Sequence, residues 1–272
     1  MTRFVAVDWS GAIRGERKKI WLAEASGGNL TLLECGRRRA EVAEYLVHRA
    51  KMDRDMIIGF DFAFSLPQWF GMRMGALEAP DLWPIVERDG ESWLKTCNEP
   101  FWGRKGRKCP VDIEQFRWTD RNTPAVAGIR PKSVFQINGG GAVGTGSLRG
   151  MPVLSTLRNA GFAVWPFDAP RKPFIIEIYP RALTGAVRKN DAAVRQAYLQ
   201  EKYACLTSDM LSRAMGCEDA FDAAVSALVM EAHAGELAGL SRLSDACIRA
   251  EGSIWLPTTR HSLITHPPRV ST

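Results

Sequence analysis

The sequence predicts an α/β fold in which one mixed sheet of five strands is flanked by helices. The first observation is a series of short elements over residues 4–60, in the order strand, strand, strand, helix, strand. The second is composition: 46% of the 272 residues are hydrophobic and 24% are charged, which is enough to build a sizeable core. The third is that apolar runs and helical segments continue to about residue 257.

The first three strands are predicted to pair with one another in an antiparallel arrangement. Residues 4–7 are an apolar run that ends at Asp8. Two further runs, 19–25 and 30–34, are separated by the turn signal Gly27-Gly28-Asn29. Because short connections of this kind join antiparallel strands, we expect the chain to reverse direction twice here.

A helix and a fourth strand complete this unit. Apolar residues at helical spacing predict a helix over 40–50, and the apolar run 56–60 predicts a strand that ends at Asp61. A helical crossover places that strand parallel to the first strand. We therefore expect Asp8 and Asp61 at the same C-terminal edge of the sheet, where open α/β sheets carry their sites.

The remainder of the chain divides into an insertion, further elements and a tail. Residues 71–131 are rich in tryptophan and proline, and we expect a helical and loop insertion that covers one side of the site. We expect one domain over 1–257 and a loosely ordered tail over 258–272. Two later strands are predicted at 162–167 and 174–178. Helices are predicted at 149–161, 190–202 and 218–234.

Composition narrows the partners and the compartment. The net charge of +6 and the pI of about 9.1 slightly favour a polyanion such as nucleic acid. The sequence has no long apolar run and no signal-peptide pattern, so we expect a cytoplasmic protein without membrane contact. Its six cysteines form no C-x-x-C pair, which argues against a thiolate zinc site.

Five acidic residues stand out from the rest. Asp8 and Asp61 each end a strand, and Glu177 is a charge inside the apolar run 174–178. Asp219 and Asp222 are three residues apart, so they share one face of the predicted helix. Carboxylates on buried elements are costly unless they are paired or bind a metal, and this predicts a common site.

Hydrolysis of a phosphodiester gives such a site a purpose. Two Mg²⁺ or Mn²⁺ ions, held by carboxylate oxygens about 4 Å apart, neutralise the phosphate and activate a water. In this hypothesis Asp8 bridges the metals, Asp222 binds from the helix with help from Asp219, and Glu177 or Asp61 completes the site. The predicted metal ligands are Asp8, Glu177, Asp219 and Asp222, and the predicted catalytic residues are Asp8, Asp61, Glu177 and Asp222.

Each of these acids also has a structural interpretation. Asp8 can cap the turn that follows its strand, and Asp61 can do the same. Glu177 can pair with a nearby arginine, Arg181 or Arg171. Asp219 can be a helix N-cap, with Asp222 as a favourable acid in the first turn.

The motifs around these acids resemble domain-of-unknown-function family 429, whose members are predicted ribonuclease H-like nucleases. The resemblance covers nearly the whole chain, and its first and last motifs also look like those of Holliday-junction resolvases. It implies a ribonuclease H-like fold with sheet order 3-2-1-4-5 and a metal-dependent nuclease site. The long Trp-rich, basic middle departs from compact domains of that fold. The motifs that carry the resemblance are residues 5–11, 58–63, 131–136, 176–181 and 219–223.

A glycine-rich stretch offers a second kind of site. Residues 139–144 match G-x-G-x-x-G, but a single match in a glycine-rich loop is weak support for a dinucleotide site. Backbone N–H groups there, with Lys132, Ser147 and Arg149, are candidates for contacting a phosphate. The alternative is a flexible loop.

The insertion supplies candidates for a nucleic-acid surface. Trp102 precedes a basic stretch that includes Arg104 and Lys105, so we expect this tryptophan to be exposed and to stack on bases. The other tryptophans are expected in the core.

Three functions remain open at this stage. The first is a metal-dependent nuclease. The second is an actin-like phosphotransferase, although that superfamily uses two such domains and this chain shows one set of motifs. The third is a non-catalytic protein that binds nucleic acid or protein.

Overall fold

The computed structural model describes residues 1–258, so the predicted tail lies outside the described residues from residue 259 onward. The strands are β1 (Arg3–Asp8), β2 (Trp21–Ser26), β3 (Asn29–Glu34), β4 (Met56–Phe60), β5 (Ala163–Val164) and β6 (Phe174–Glu177). The helices are α1 (Glu16–Lys19), α2 (Arg39–Met52), α3 (Gln68–Arg73), α4 (Ala79–Thr96), α5 (Trp118–Asn122), α6 (Gly144–Asn159), α7 (Pro180–Thr184), α8 (Ala192–Lys202), α9 (Ser208–Gly216), α10 (Glu218–Ala232), α11 (Ala234–Ala238) and α12 (Ala246–Glu251).

One mixed sheet organises the chain, in the order β3-β2-β1-β4-β6-β5. Strand β2 is antiparallel to β1 and β3, whereas β4 is parallel to β1 and β6 is parallel to β4. The prediction of one mixed sheet flanked by helices is confirmed. The predicted count of five strands is wrong by one, because the later strand β6 inserts beside β4 and leaves the two-residue β5 at the edge.

The alternation of side chains along β1 sends apolar groups to both faces of the sheet. Val5 and Val7 enter a core on one face, and Phe4 and Ala6 enter a separate core on the other. Helices α2, α4 and α6 pack over the first face, and α10 crosses β1, β2 and β3 on the second. The strands are therefore buried on both sides, which accounts for their continuous apolar runs.

Small residues allow α10 to lie close to the sheet. Ala223, Ala224 and Ala227 are fully or almost fully buried. Gly59 of β4 is required at the same interface, because a Cβ there would lie 2.8 Å from Met230 Sδ of α10. This close approach holds the C-terminal half of α10 against β4.

The insertion over 71–131 contains the long helix α4, the short α5 and irregular segments between them. Trp83 of α4 is 1% exposed, and its indole N–H donates to Phe64 O at 2.8 Å, so this helix is joined to the segment after β4. None of the helices in residues 1–258 is long and apolar enough to cross a bilayer.

Candidate functional site

The ends of β1 and β4 bring two aspartates side by side. The parallel register pairs Val7 with Phe60, and the Asp61 N–H donates to Val7 O at 3.1 Å. The next residues along the two strands are therefore Asp8 and Asp61, at the C-terminal edge of the sheet as expected. Asp8 is 9% exposed, and Asp61 is partly accessible from a cleft.

The start of α10 brings two more carboxylates to this edge. Cys217 is the N-cap of the helix, and its Sγ accepts from the Ala220 N–H at 3.3 Å. The alternative in which Asp219 is the N-cap is therefore wrong: Asp219 is the second residue of the helix. Asp222 lies one turn further on and is 7% exposed, since α10 packs directly on β1.

These acids line one end of a cleft of about 980 Å³. The sequence-predicted acids that line it are Asp8, Asp61, Glu177, Asp219 and Asp222. Basic residues line it as well, and they are Lys19, Arg104, Arg117, Arg130, Lys132, Arg149, Arg181 and Lys189. The cleft thus has an acidic floor and several cations around it, which suits a metal ion and a phosphate together.

Burial and repulsion between neighbouring carboxylates raise the pKa values of these acids. Burial raises the pKa of Asp8 well above its ordinary value, and the charges of Asp61, Asp222 and Asp219 raise it further. Burial, followed by the charge of Asp222, raises the pKa of Asp61 to about 8. Burial raises the pKa of Asp222 to about 6, although Lys189 opposes this rise. Burial also raises the pKa of Asp219, with Glu218 adding to it.

The carboxylates of this cluster have few hydrogen-bond donors. Within residues 1–258, no donor contacts the side-chain oxygens of Asp8, Asp61 or Asp219. Asp222 Oδ2 accepts from the Lys189 ammonium, and Asp222 Oδ1 is buried with no hydrogen-bond partner among these residues. A buried carboxylate oxygen without a donor is costly, so this atom points to a missing cation or water.

Glu177 lies at the same edge but is held differently. It ends β6 in register with Phe60, and both of its oxygens accept from the guanidinium of Arg117, at 2.5 and 2.8 Å. Its Oε2 also accepts from the Phe64 N–H at 2.9 Å. The arginine partner expected in the structural interpretation was Arg181 or Arg171, and it is Arg117 instead. Glu177 therefore has no oxygen without a donor to offer a metal.

Two residues predicted to contact phosphate already make hydrogen bonds or ion pairs with other groups of the protein. The Ser147 hydroxyl is fully buried, donates to Val143 O at 3.0 Å and accepts from the Ala63 N–H at 3.1 Å. The Arg149 guanidinium pairs with Glu91 and donates to Gly11 O. Both side chains position the segments after β1 and β4. The Ser147 hydroxyl has no donor left for a phosphate, and Arg149 uses three of its five N–H groups within the protein.

The other predicted contacts divide between core and rim. Trp102 is half-buried and packs against the core, and its indole N–H donates to Gln115 Oε1 at 2.9 Å. The expected exposed stacking surface at this tryptophan is therefore absent. Arg104, Lys105 and Lys132 are exposed, and Arg104 and Lys132 line the cleft. The stretch 133–137 forms no strand, and the predicted helix over 149–161 begins earlier, at Gly144.

The loop after β1 touches the start of α6. A Cβ at Gly11 would lie 2.4 Å from the backbone nitrogen of Gly146, so only glycine fits there. The Trp9 indole N–H donates to Gly146 O at 3.1 Å, and the Arg39 guanidinium donates to the carbonyls of Ser10 and Ala12. One wall of the cleft is therefore built from two backbone segments in direct contact.

Sequence analysis missed three residues of this region. Lys189 lies in an irregular segment 33 residues before its partner Asp222, and Arg117 lies in the insertion, 60 residues before Glu177. Tyr179 also lines the cleft, and burial followed by the charge of Asp61 raises its pKa to about 12. The motif Ile176–Arg181 contains Tyr179, but nothing in its spacing indicates which side chain faces the acids.

The donor set fits a divalent cation in type and charge, because hard carboxylate oxygens are the ligands that Mg²⁺ and Mn²⁺ prefer. In residues 1–258, no three or more His, Cys, Asp or Glu side chains are arranged to hold one metal ion as they stand. One oxygen of Asp222 is directed at the Lys189 ammonium in this arrangement.

Comparisons of the chain with protein-family models, with curated proteins and with solved structures gave no significant match. The case for a function therefore depends on the geometry of the cleft.

Proposed function

We propose that this chain is a divalent-metal-dependent nuclease with a ribonuclease H-like fold. The observation that carries the proposal is the cluster of Asp8, Asp61, Asp219 and Asp222 at the end of a cleft. Three of these carboxylates lack hydrogen-bond donors among the described residues, and Asp222 Oδ1 is buried without one. Such a cluster is stabilised when a cation binds.

The sheet supports the fold assignment. With β6 taken as the fifth strand, the order β3-β2-β1-β4-β6 corresponds to the order 3-2-1-4-5 that the resemblance implies, and β5 is an added edge strand. The antiparallel β2 and the parallel β4 and β6 agree with that arrangement. Membership of family 429 is part of the same proposal.

A bound Mg²⁺ or Mn²⁺ ion would neutralise charge on the phosphate and lower the pKa of an attacking water. Asp8 would supply oxygens from a rigid strand, and Asp222 would supply Oδ1, which has no hydrogen-bond partner among the described residues, from α10. Burial and the charge of Asp222 raise the pKa of Asp61 to about 8, and its carboxyl group would have to be deprotonated to bind a cation. The resulting phosphodiester hydrolysis adds the water oxygen to phosphorus and releases one ester oxygen with a proton.

The rim of the cleft supports a polyanionic substrate. Arg104, Arg130 and Lys132 line it and are exposed, and Lys105 is exposed next to Arg104. A nucleic-acid backbone presents phosphates in a row, so cations around an acidic floor can hold the chain while one phosphate reaches the carboxylates. We propose DNA or RNA as the substrate class on this ground.

Cleavage of labelled nucleic acids tests the proposal. Single-stranded, duplex and branched DNA and RNA are incubated with the protein and Mg²⁺ or Mn²⁺, with and without a chelator. We expect metal-dependent cleavage by the native chain, and Asp8→Asn should reduce it to the level seen with the chelator. The substrates that are cut then define the substrate class.

The matched control is Asp55→Asn. Asp55 directly precedes β4 and pairs with Lys172 at 2.5 Å, so it lies at the opposite end of the strand from Asp61. This variant should keep native cleavage. An equal loss in both variants would indicate damage to the fold, and no cleavage of any substrate by the native chain would contradict the proposal and favour nucleotide chemistry or a binding role.

A further inference from the structure

Lys189 is fixed in the acidic cluster by its backbone. It lies between α7 and α8, and its carbonyl accepts from the Arg195 guanidinium. Arg195 is 5% exposed, and its Nε and Nη2 also donate to Met215 O, at 3.0 and 2.6 Å. A buried arginine thus ties the segment that carries Lys189 to the end of α9, and this lysine differs from a freely rotating surface side chain.

The Lys189 ammonium sits among the acids of the cleft. It forms an ion pair with Asp222 Oδ2, and the lysine side chain is 17% exposed. Its positive charge favours the ionised form of Asp8, Asp61, Asp219 and Asp222 alike. One ammonium is therefore close enough to act on all four carboxylates, as a bound cation would.

We infer that the Lys189 ammonium fills one of the two cation positions of this cluster, so that the native site binds a single divalent ion. The oxygens left for that ion are those of Asp8 and Asp61 and the free Oδ1 of Asp222. This inference rests on the proposed function, and it replaces the two-metal site expected from the sequence.

Charge balance supports a single ion. The cluster has four carboxylates, and two lysines face it, Lys189 from one side and Lys19 beside Asp219. One divalent ion with the two ammonium groups neutralises the four acids. A second divalent ion would leave uncompensated positive charge in a largely buried site, which is costly.

Titration calorimetry with Mn²⁺ tests the inference on the full chain without any nucleic acid. We expect the native protein to bind one Mn²⁺ per chain. In Lys189→Met the aliphatic stem remains and the charge is removed, so this variant should bind two. Lys189→Arg keeps the charge and should bind one, as the native chain does.

Lys172→Met is the control, because Lys172 also pairs with an aspartate but at the opposite edge of the sheet. It should bind one Mn²⁺ with native affinity, and a thermal melt of each variant checks that it is folded. Two ions on the native chain would overturn the inference without reference to any variant. One ion on folded Lys189→Met, whatever its affinity, would also overturn it while leaving the proposed nuclease site standing. No Mn²⁺ on the native chain or on Lys189→Met would overturn both proposals.

Discussion

Two groups of buried acids lie at the same edge of the sheet, and they differ in how many donors they receive. Glu177 and Asp120 share the guanidinium of Arg117. This group donates two hydrogen bonds to the Glu177 carboxylate, two to the Asp120 carboxylate and one to the Glu251 carbonyl. Asp61 and Asp8, which lie one and two strands away from Glu177, receive no hydrogen bond from the described residues. The comparison teaches that burial alone does not distinguish a structural acid at a strand end from a candidate site residue, whereas the number of hydrogen-bond donors does separate the two groups here.

Removal of Arg117 should have the largest effect. Arg117→Met leaves Glu177 and Asp120 buried without their partner, and an unpaired buried charge costs about 3–5 kcal/mol of unfolding free energy. Urea denaturation followed by circular dichroism measures this change. The control Arg158→Met breaks the more exposed pair with Asp168 and should cost at most about 1 kcal/mol. Equal losses in the two variants would contradict the distinction between the two groups of acids.

Neutralising Asp61 should have the opposite sign, a gain in stability at high pH. The pKa of Asp61 is about 8 in the folded chain and near 3.9 when unfolded, so the folded chain binds more protons and its stability falls as pH rises from about 4 to about 8. Without metal, Asp61→Asn should match native stability near pH 4 and exceed it increasingly as the pH rises toward 9. Urea midpoints at several pH values measure the difference. Glu177→Gln should destabilise the chain throughout this range, and a gain in stability there would break the comparison.

The rim should show the smallest effect. Lys132 is exposed and lines the cleft, so Lys132→Ala should weaken nucleic-acid binding a few-fold and reduce the salt slope of binding by about 1. Fluorescence anisotropy with a labelled oligonucleotide in Ca²⁺ at several salt concentrations measures both quantities. Lys202→Ala, on an exposed lysine of α8 that does not line this cleft, should change neither. An unchanged slope for Lys132→Ala would place the phosphate contacts elsewhere.

The elements that carry Asp8 and Asp61 could be predicted because both acids directly follow short apolar runs, and a helical crossover requires the two strands to be parallel. The position of α10 could be predicted for a similar reason, since Asp219 and Asp222 precede a run of small residues. The sequence predicts a strand over 162–167 as well, but it is only two residues long, and its place at the edge of the sheet, beyond the later strand β6, could not be predicted because no sequence pattern sets the order of these two strands.

The partners of the acids depend on tertiary packing, which the sequence does not show. Arg117 and Lys189 lie in irregular segments, where no helical or strand periodicity predicts which way a side chain points. Ser147 and Arg149 looked like phosphate contacts because they follow a glycine-rich stretch. Their side chains instead make hydrogen bonds within the protein, because α6 lies against the segment after β4. The approach is so close that a Cβ at Gly150 would lie 2.6 Å from the Phe62 ring.

The contact between Gly11 and Gly146 has a consequence for what can enter the cleft. The distance between the loop after β1 and the first turn of α6 is set by main-chain atoms, and side-chain rotamers cannot change it. The wall of the cleft beside Asp8 therefore cannot be shifted by a change of side-chain rotamer alone. The shape of the cleft can be adjusted instead at the exposed basic side chains that line it, such as Arg104 and Lys132.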